Sequence, residues 1–156
     1  MRPATNPVLG QLLLAYPVAL ACFLGLDACW LSLMSSRLYK PALAGLMSPT
    51  VDWLAAVLFY AVYLCGLLVF AVRPALVSRE PGVAGRLGGL FGFVAYATYD
   101  LTNQATLANW PWAVTAADLA WGSIVSGVSA WAATWVALQR AGNPGNRLGA
   151  AIPPRK

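Results

Sequence analysis

Apolar residues along this chain run on in long unbroken stretches instead of alternating with polar ones. Four of these, residues 8–34, 52–72, 87–107 and 114–138, are long enough to cross a hydrocarbon core of about 30 Å, which takes roughly 20 helical residues. The punctuation between them is clear: Ser35-Ser36 through Pro41 with Ser48-Pro49, then Arg73-Pro74 through Pro81-Gly82, then Asn109-Trp110-Pro111-Trp112. Continuous runs predict helices, since the strands of a membrane barrel alternate over about ten residues. The expected architecture is therefore all-α, a four-transmembrane-helix bundle over residues 1–140, followed by a mobile basic tail over residues 141–156.

Composition supports lipid as the solvent. The chain has 156 residues, 60% of them hydrophobic and only 10% charged, whereas a water-facing domain needs about a quarter of its residues charged. A secreted disulfide scaffold, a disordered chain and a free nucleic-acid-binding domain are excluded, despite the net charge of +5. The positions of the basic residues give an orientation. Arg2, Arg73, Arg79, Arg86, Arg140, Arg147, Arg155 and Lys156 fall on one side of a four-span arrangement, and Arg37 and Lys40 on the other. Positive segments stay in the cytoplasm, so both termini are expected there. Trp110 and Trp112 then fall at the outer interface, where an indole keeps its ring in the boundary and its N–H wet. The first run is too long for a cleaved signal and carries Asp27.

The acids are distributed unevenly. Counted from the outer helix ends at 1.5 Å per residue, Asp27 lies about 9 Å deep, Asp100 about 10 Å and Asp118 about 6 Å. A carboxylate at that level is costly and usually faces a bundle interior or a wet cavity. Neighbouring residues repeat the pattern. Asp27 with Trp30, and Asp118 with Trp121, share an Asp-x-x-Trp spacing; Tyr96, Asp100 and Asn103 follow one face of the third run, flanked by Tyr99; Tyr60 and Tyr63 form a hydroxyl stripe on the second. These ten side chains are the candidate ligand-binding residues of an outward-facing pocket. The alternative is polar glue, with the Asp residues bonded to Tyr, Trp, Asn and Thr across helices or paired with Arg37 or Lys40. Small residues four apart, Gly85/Gly89, Gly88/Gly92, Gly122/Ser126 and Ser123/Gly127, suit close helix approach.

Other chemistries find little footing. The three cysteines, Cys22, Cys29 and Cys65, read as small buried hydrophobes, and with no His no transition-metal set is expected. No Gly-x-Gly or phosphate loop occurs, and Gly127-Val128-Ser129-Ala130-Trp131 lacks the second Gly of a nucleophile elbow. No cofactor is expected.

Four strings stand out together: Leu26-Asp27-Ala28-Cys29-Trp30-Leu31, Phe70-Ala71-Val72-Arg73-Pro74-Ala75, residues 90–103 with Tyr96-Ala97-Thr98-Tyr99-Asp100-Leu101-Thr102-Asn103, and Asp118-Leu119-Ala120-Trp121-Gly122. Over residues 12–138 the chain resembles domain-of-unknown-function family 2177, small bacterial inner-membrane proteins. That resemblance implies a four-span protein of the bacterial inner membrane and brings no activity with it. The residues themselves point to a binding or transport protein for a small cationic or polar ligand, or a proton. Two other readings fit them: an intramembrane enzyme that modifies a lipid or isoprenoid by Asp acid–base chemistry, and an accessory subunit that docks a membrane partner or a second copy.

Overall fold

A computed structural model describes residues 7–142 of the chain. The expected basic tail lies, beyond Gly142, outside the described residues, as does Arg2. Among the described residues the fold is all-helical, with no strand. Helix α1 (Pro7–Met34) passes through a wider π turn (Ser35–Tyr39) into the short α2 (Lys40–Leu43). Helix α3 (Trp53–Leu67) does the same through a second π turn (Leu68–Val72) into α4 (Arg73–Ser78). Helices α5 (Pro81–Thr106) and α6 (Trp112–Gly142) form the second half.

The two π turns correct the expected punctuation. Residues 35–41 and 73–74 read as breaks, yet the helices run on to Leu43 and Ser78. In each case a proline stands two residues past the turn, Pro41 and Pro74, and the residue before it bonds five back: Lys40 N–H to the Ser35 carbonyl, Arg73 N–H to the Leu68 carbonyl. A proline in a regular helix lacks a donor and its ring strikes the carbonyl four residues earlier. Widening the preceding turn relieves that collision, so the chain bends past the ring instead of stopping.

Real breaks occur where the backbone turns left-handed or a cap takes over. Arg79, at φ 59°, ends α4, and Pro81 opens α5 two residues later. Asn109, at φ 63°, lies in the α5–α6 turn. Asp52 caps α3, its carboxylate accepting the Ala55 N–H at 3.1 Å.

Three segments are long and apolar enough to cross a membrane: Val8–Leu43, Trp53–Ser78 and Trp112–Ala141. Helix α5 is as long, but Gly82, Gly85, Gly88, Gly89, Gly92, Arg86, Asp100 and Gln104 dilute its apolar character. Of those glycines, Gly85, Gly88, Gly89 and Gly92 face α6 closely. Helix α6 is central, lying along α5 and against α1 and the second π turn. A Cβ on Gly88 would stand 2.8 Å from Ala130 Cβ, and one on Gly92 would overlap the Gly122 carbonyl and the Ser126 hydroxyl. The core runs through Ala15, Ala19, Phe23, Leu64, Leu67, Ala84, Val125, Ala133 and Ala137. Outward faces of α1 and α3 stay apolar and exposed, as at Leu13, Trp53, Leu54, Val57 and Val62, which suits lipid contact.

Two smaller expectations change. Trp110 is buried, its indole N–H bonded to Thr115 Oγ1 at 3.1 Å while Gln104 donates to its carbonyl at 3.0 Å; Trp112 alone of the pair is exposed. The tight turn at Asn109 swings Trp110 inward as the plug of the α5–α6 connection. Cys29 and Cys65 are exposed and Cys22 half-buried, all three free, so only the last approaches the buried position expected of them.

Candidate functional site

Asp27 on α1 is buried and tied to two other helices. Its carboxylate accepts the Tyr60 hydroxyl of α3 at 2.6 Å and the Trp121 indole N–H of α6 at 3.3 Å. Asp118 on α6, also buried, accepts the hydroxyl of Tyr39, whose oxygen in turn accepts the Trp30 indole N–H at 2.8 Å. The rings of Trp30 and Trp121 stack face to face, centroids 4.5 Å apart and planes 6° from parallel. The two Asp-x-x-Trp motifs therefore serve each other. The Trp of α6 donates directly to the Asp of α1, and the Trp of α1 donates through Tyr39 to the Asp of α6.

Tyr63 hydrogen-bonds Ser126 at 2.7 Å and packs against Phe23, Phe91 and Tyr96. Gly122 makes room for this arrangement, because a Cβ there would enter the Tyr96 ring. Phe59, Tyr63, Ala95, Tyr96, Tyr99 and Asp118 line a cavity of about 470 Å³, within the size range of small-molecule sites. Its walls are aromatic, and Asp118 is the one carboxyl in its described lining. The Tyr96 hydroxyl makes no hydrogen bond among the described residues.

Asp100 differs from the other two. It is fully buried, and neither carboxyl oxygen has a hydrogen-bond partner among the described residues. It stands one turn beyond Tyr96 on the same face of α5 and within electrostatic reach of Asp118. Arg37 and Lys40, the cations expected as ion-pair partners, are exposed and make no ion pair among the described residues. A bare carboxylate in such a place is very costly.

Of the ten candidate residues, Asp27, Trp30, Tyr60, Asp118 and Trp121 share one hydrogen-bonded and stacked network, and Tyr63, Tyr96, Tyr99 and Asp118 line the cavity. Asn103 lies further along α5, half-buried and outside the cavity, its carbonyl accepting the Leu107 N–H. Sequence reasoning missed Tyr39, Phe59 and Ala95. Tyr39 was hidden because its segment reads as a loop.

A membrane-protein family model matches residues 12–135, which include Asp27, Tyr39, Tyr60, Asp100 and Asp118. The chain belongs to the DUF2177 family of predicted membrane proteins. Comparison with curated proteins and with solved structures finds no match. As a DUF2177 member the chain is an integral membrane protein, its apolar helix surfaces in contact with a lipid bilayer.

Proposed function

We propose that this DUF2177 protein binds a small cation or a proton, using the carboxyls of Asp118, in the lining of the aromatic cavity, and of Asp100. The observation that carries the reading is the fully buried Asp100, without a hydrogen-bond partner among the described residues and within electrostatic reach of a second buried acid. Two carboxyls without a basic side chain call for positive charge from elsewhere. Asp27, Trp30, Tyr39, Tyr60 and Trp121 hold the α1–α3–α6 side of the site in place, while Tyr63, Tyr96 and Tyr99 supply ring faces of the kind that attract an ammonium group.

In this reading α5 is a fourth span. Its 26 residues match the neighbouring helices in length, Gly88 and Gly92 turn toward α6, and Asp100 is buried. Four spans place Arg73, Arg79, Arg86 and Arg140 on one side with both termini, which the positive-inside rule assigns to the cytoplasm of a bacterial inner membrane. Residues 1–140 then form one transmembrane domain, with residues 141–156 as a basic cytoplasmic tail. Single cysteines introduced for Ser48 and Arg79 in a cysteine-free background test the orientation: an impermeant maleimide labels the first in intact cells and the second only after lysis.

Binding of butylamine, as a small ammonium probe, to the purified full chain tests the site. Saturable binding that weakens about ten-fold or more in Asp100→Asn and Asp118→Asn is expected, the loss belonging to a charge-assisted contact. Folded variants that bind butylamine and exchange protons as the wild type does would refute the reading.

A further inference from the structure

We infer that the gap between α3 and α5 is a sideways entrance from the lipid phase, through which a single-chain amphiphile with a protonated amine headgroup reaches Asp118. The inference rests on the cation-binding reading above and names the class of ligand. Helix α5 packs along α6, but it meets the α3–α4 arm chiefly at the π turn Leu68–Val72 and α4, beyond the Phe91 ring that fills the space over Gly66. Toward the N-terminus of α3 the two helices part, and the aromatic cavity is the space they leave.

The level of that gap decides what reaches it. Its exposed rim residues are Phe59, six residues into α3, and Tyr99, seven residues before the end of α5. At 1.5 Å per residue both lie about 9–10 Å from the same end of the bundle, and so within the apolar layer rather than at its surface. Lipid-facing side chains flank the gap: Leu58 and Val62 on α3, Val94 on α5, all exposed. A ligand arriving there comes from among acyl chains.

The interior selects the headgroup. Phe59, Tyr63, Ala95 and Tyr96 offer an apolar, aromatic sleeve, and the acids are Asp118 in its lining and Asp100, within electrostatic reach of Asp118. An anionic headgroup is repelled by two carboxyls, whereas an ammonium gains a charge-assisted hydrogen bond and ring faces. The volume of about 470 Å³ is small for a ligand site and suits one chain with a compact head.

Binding of radiolabelled dodecylamine to the full-length protein in phosphatidylcholine nanodiscs, with empty nanodiscs subtracted, tests the inference. Saturable binding is expected, about ten-fold or more tighter than that of butylamine, dodecanol or dodecanoate. Asp118→Asn removes it. Ala95→Trp, which fills the sleeve and leaves every carboxyl in place, also removes it, and the smaller Ala95→Leu weakens it, with circular dichroism confirming that each variant is folded. Butylamine binding as tight as that of dodecylamine, and unaffected at Ala95, would overturn the lipid-side entrance while leaving the cation site standing. Dodecanol or dodecanoate equal to dodecylamine would overturn the amine headgroup. Absence of saturable binding by either amine to folded wild type overturns both the inference and the function on which it rests.

Discussion

Gly88 and Gly92 set the distance between α5 and α6, and alanine at each position measures what that closeness is worth. At Gly88 the added carbon would lie 2.8 Å from Ala130 Cβ and from the Ser126 carbonyl oxygen, inside the 3.4 Å at which ordinary contact begins. At Gly92 it would overlap the Gly122 carbonyl, which belongs to a helix backbone and has no rotamer to escape into. Gly85 and Gly89 provide controls on the same helix, where the nearest atoms would be 3.6 Å and 3.5 Å away. Alanine gains about 0.8–1 kcal/mol over glycine in a helix interior, and overpacking costs about 1–3 kcal/mol. Gly85→Ala and Gly89→Ala are therefore expected to be neutral or stabilising by up to about 1 kcal/mol. Gly88→Ala nets a loss of roughly 0–2 kcal/mol, and Gly92→Ala, with backbone in the way, roughly 2 kcal/mol or more. Reversible unfolding in mixed SDS and maltoside micelles, followed by circular dichroism, orders the four variants. A Gly92→Ala protein as stable as Gly89→Ala would show that the two helices do not touch there. The same variant should weaken butylamine binding, because parting α5 from α6 separates Asp100 from Asp118.

Asp52→Ala removes the α3 cap at 3.1 Å and should cost about 1 kcal/mol in the same unfolding assay; an unchanged midpoint would mean that another group caps the helix. Asn109→Val forces a branched side chain into a left-handed backbone at φ 63° and is expected to cost about 1–2 kcal/mol, with Asn109→Gly close to neutral; equal stabilities would refute that turn geometry. A double-mutant cycle on Trp30→Phe and Tyr39→Phe should return a coupling of about 0.6 kcal/mol, as polar contacts between membrane helices do, and strictly additive losses would mean that the indole does not bond the phenol.

Long apolar runs made most of the helical architecture legible in advance, since three of the four stretches lie in helices both long and apolar enough to cross a membrane, close to where the hydropathy placed them. Helix α5 is harder to read because the features that let it pack, four glycines and the Tyr96–Asp100 face, are those that lower its apolar content. Proline misled for a related reason. Pro41 and Pro74 break a regular helix, but a widened turn before each removes the clash, and nothing in local composition announces that widening. Tyr39 was lost with the first of these. The Asp-x-x-Trp repeats, by contrast, were visible as spacing on α1 and α6, although their reciprocal donation and the ring stack depend on how two distant helices meet. Asp100 is legible as a buried acid; its lack of a hydrogen-bond partner among the described residues is not.

The widened turn at Ser35–Tyr39 also makes the chain's arithmetic unforgiving. Each residue of a helix advances the next by about 100° around the axis, so deleting a single residue between Trp30 and Tyr39 would rotate the phenol away from Asp118 and unhook the indole behind it. Point changes on the lipid side of this segment are cheap by comparison. Insertions and deletions here should be tolerated only in whole helical turns, and a length-altered chain that kept its Trp30 bond would have to restore the phase elsewhere.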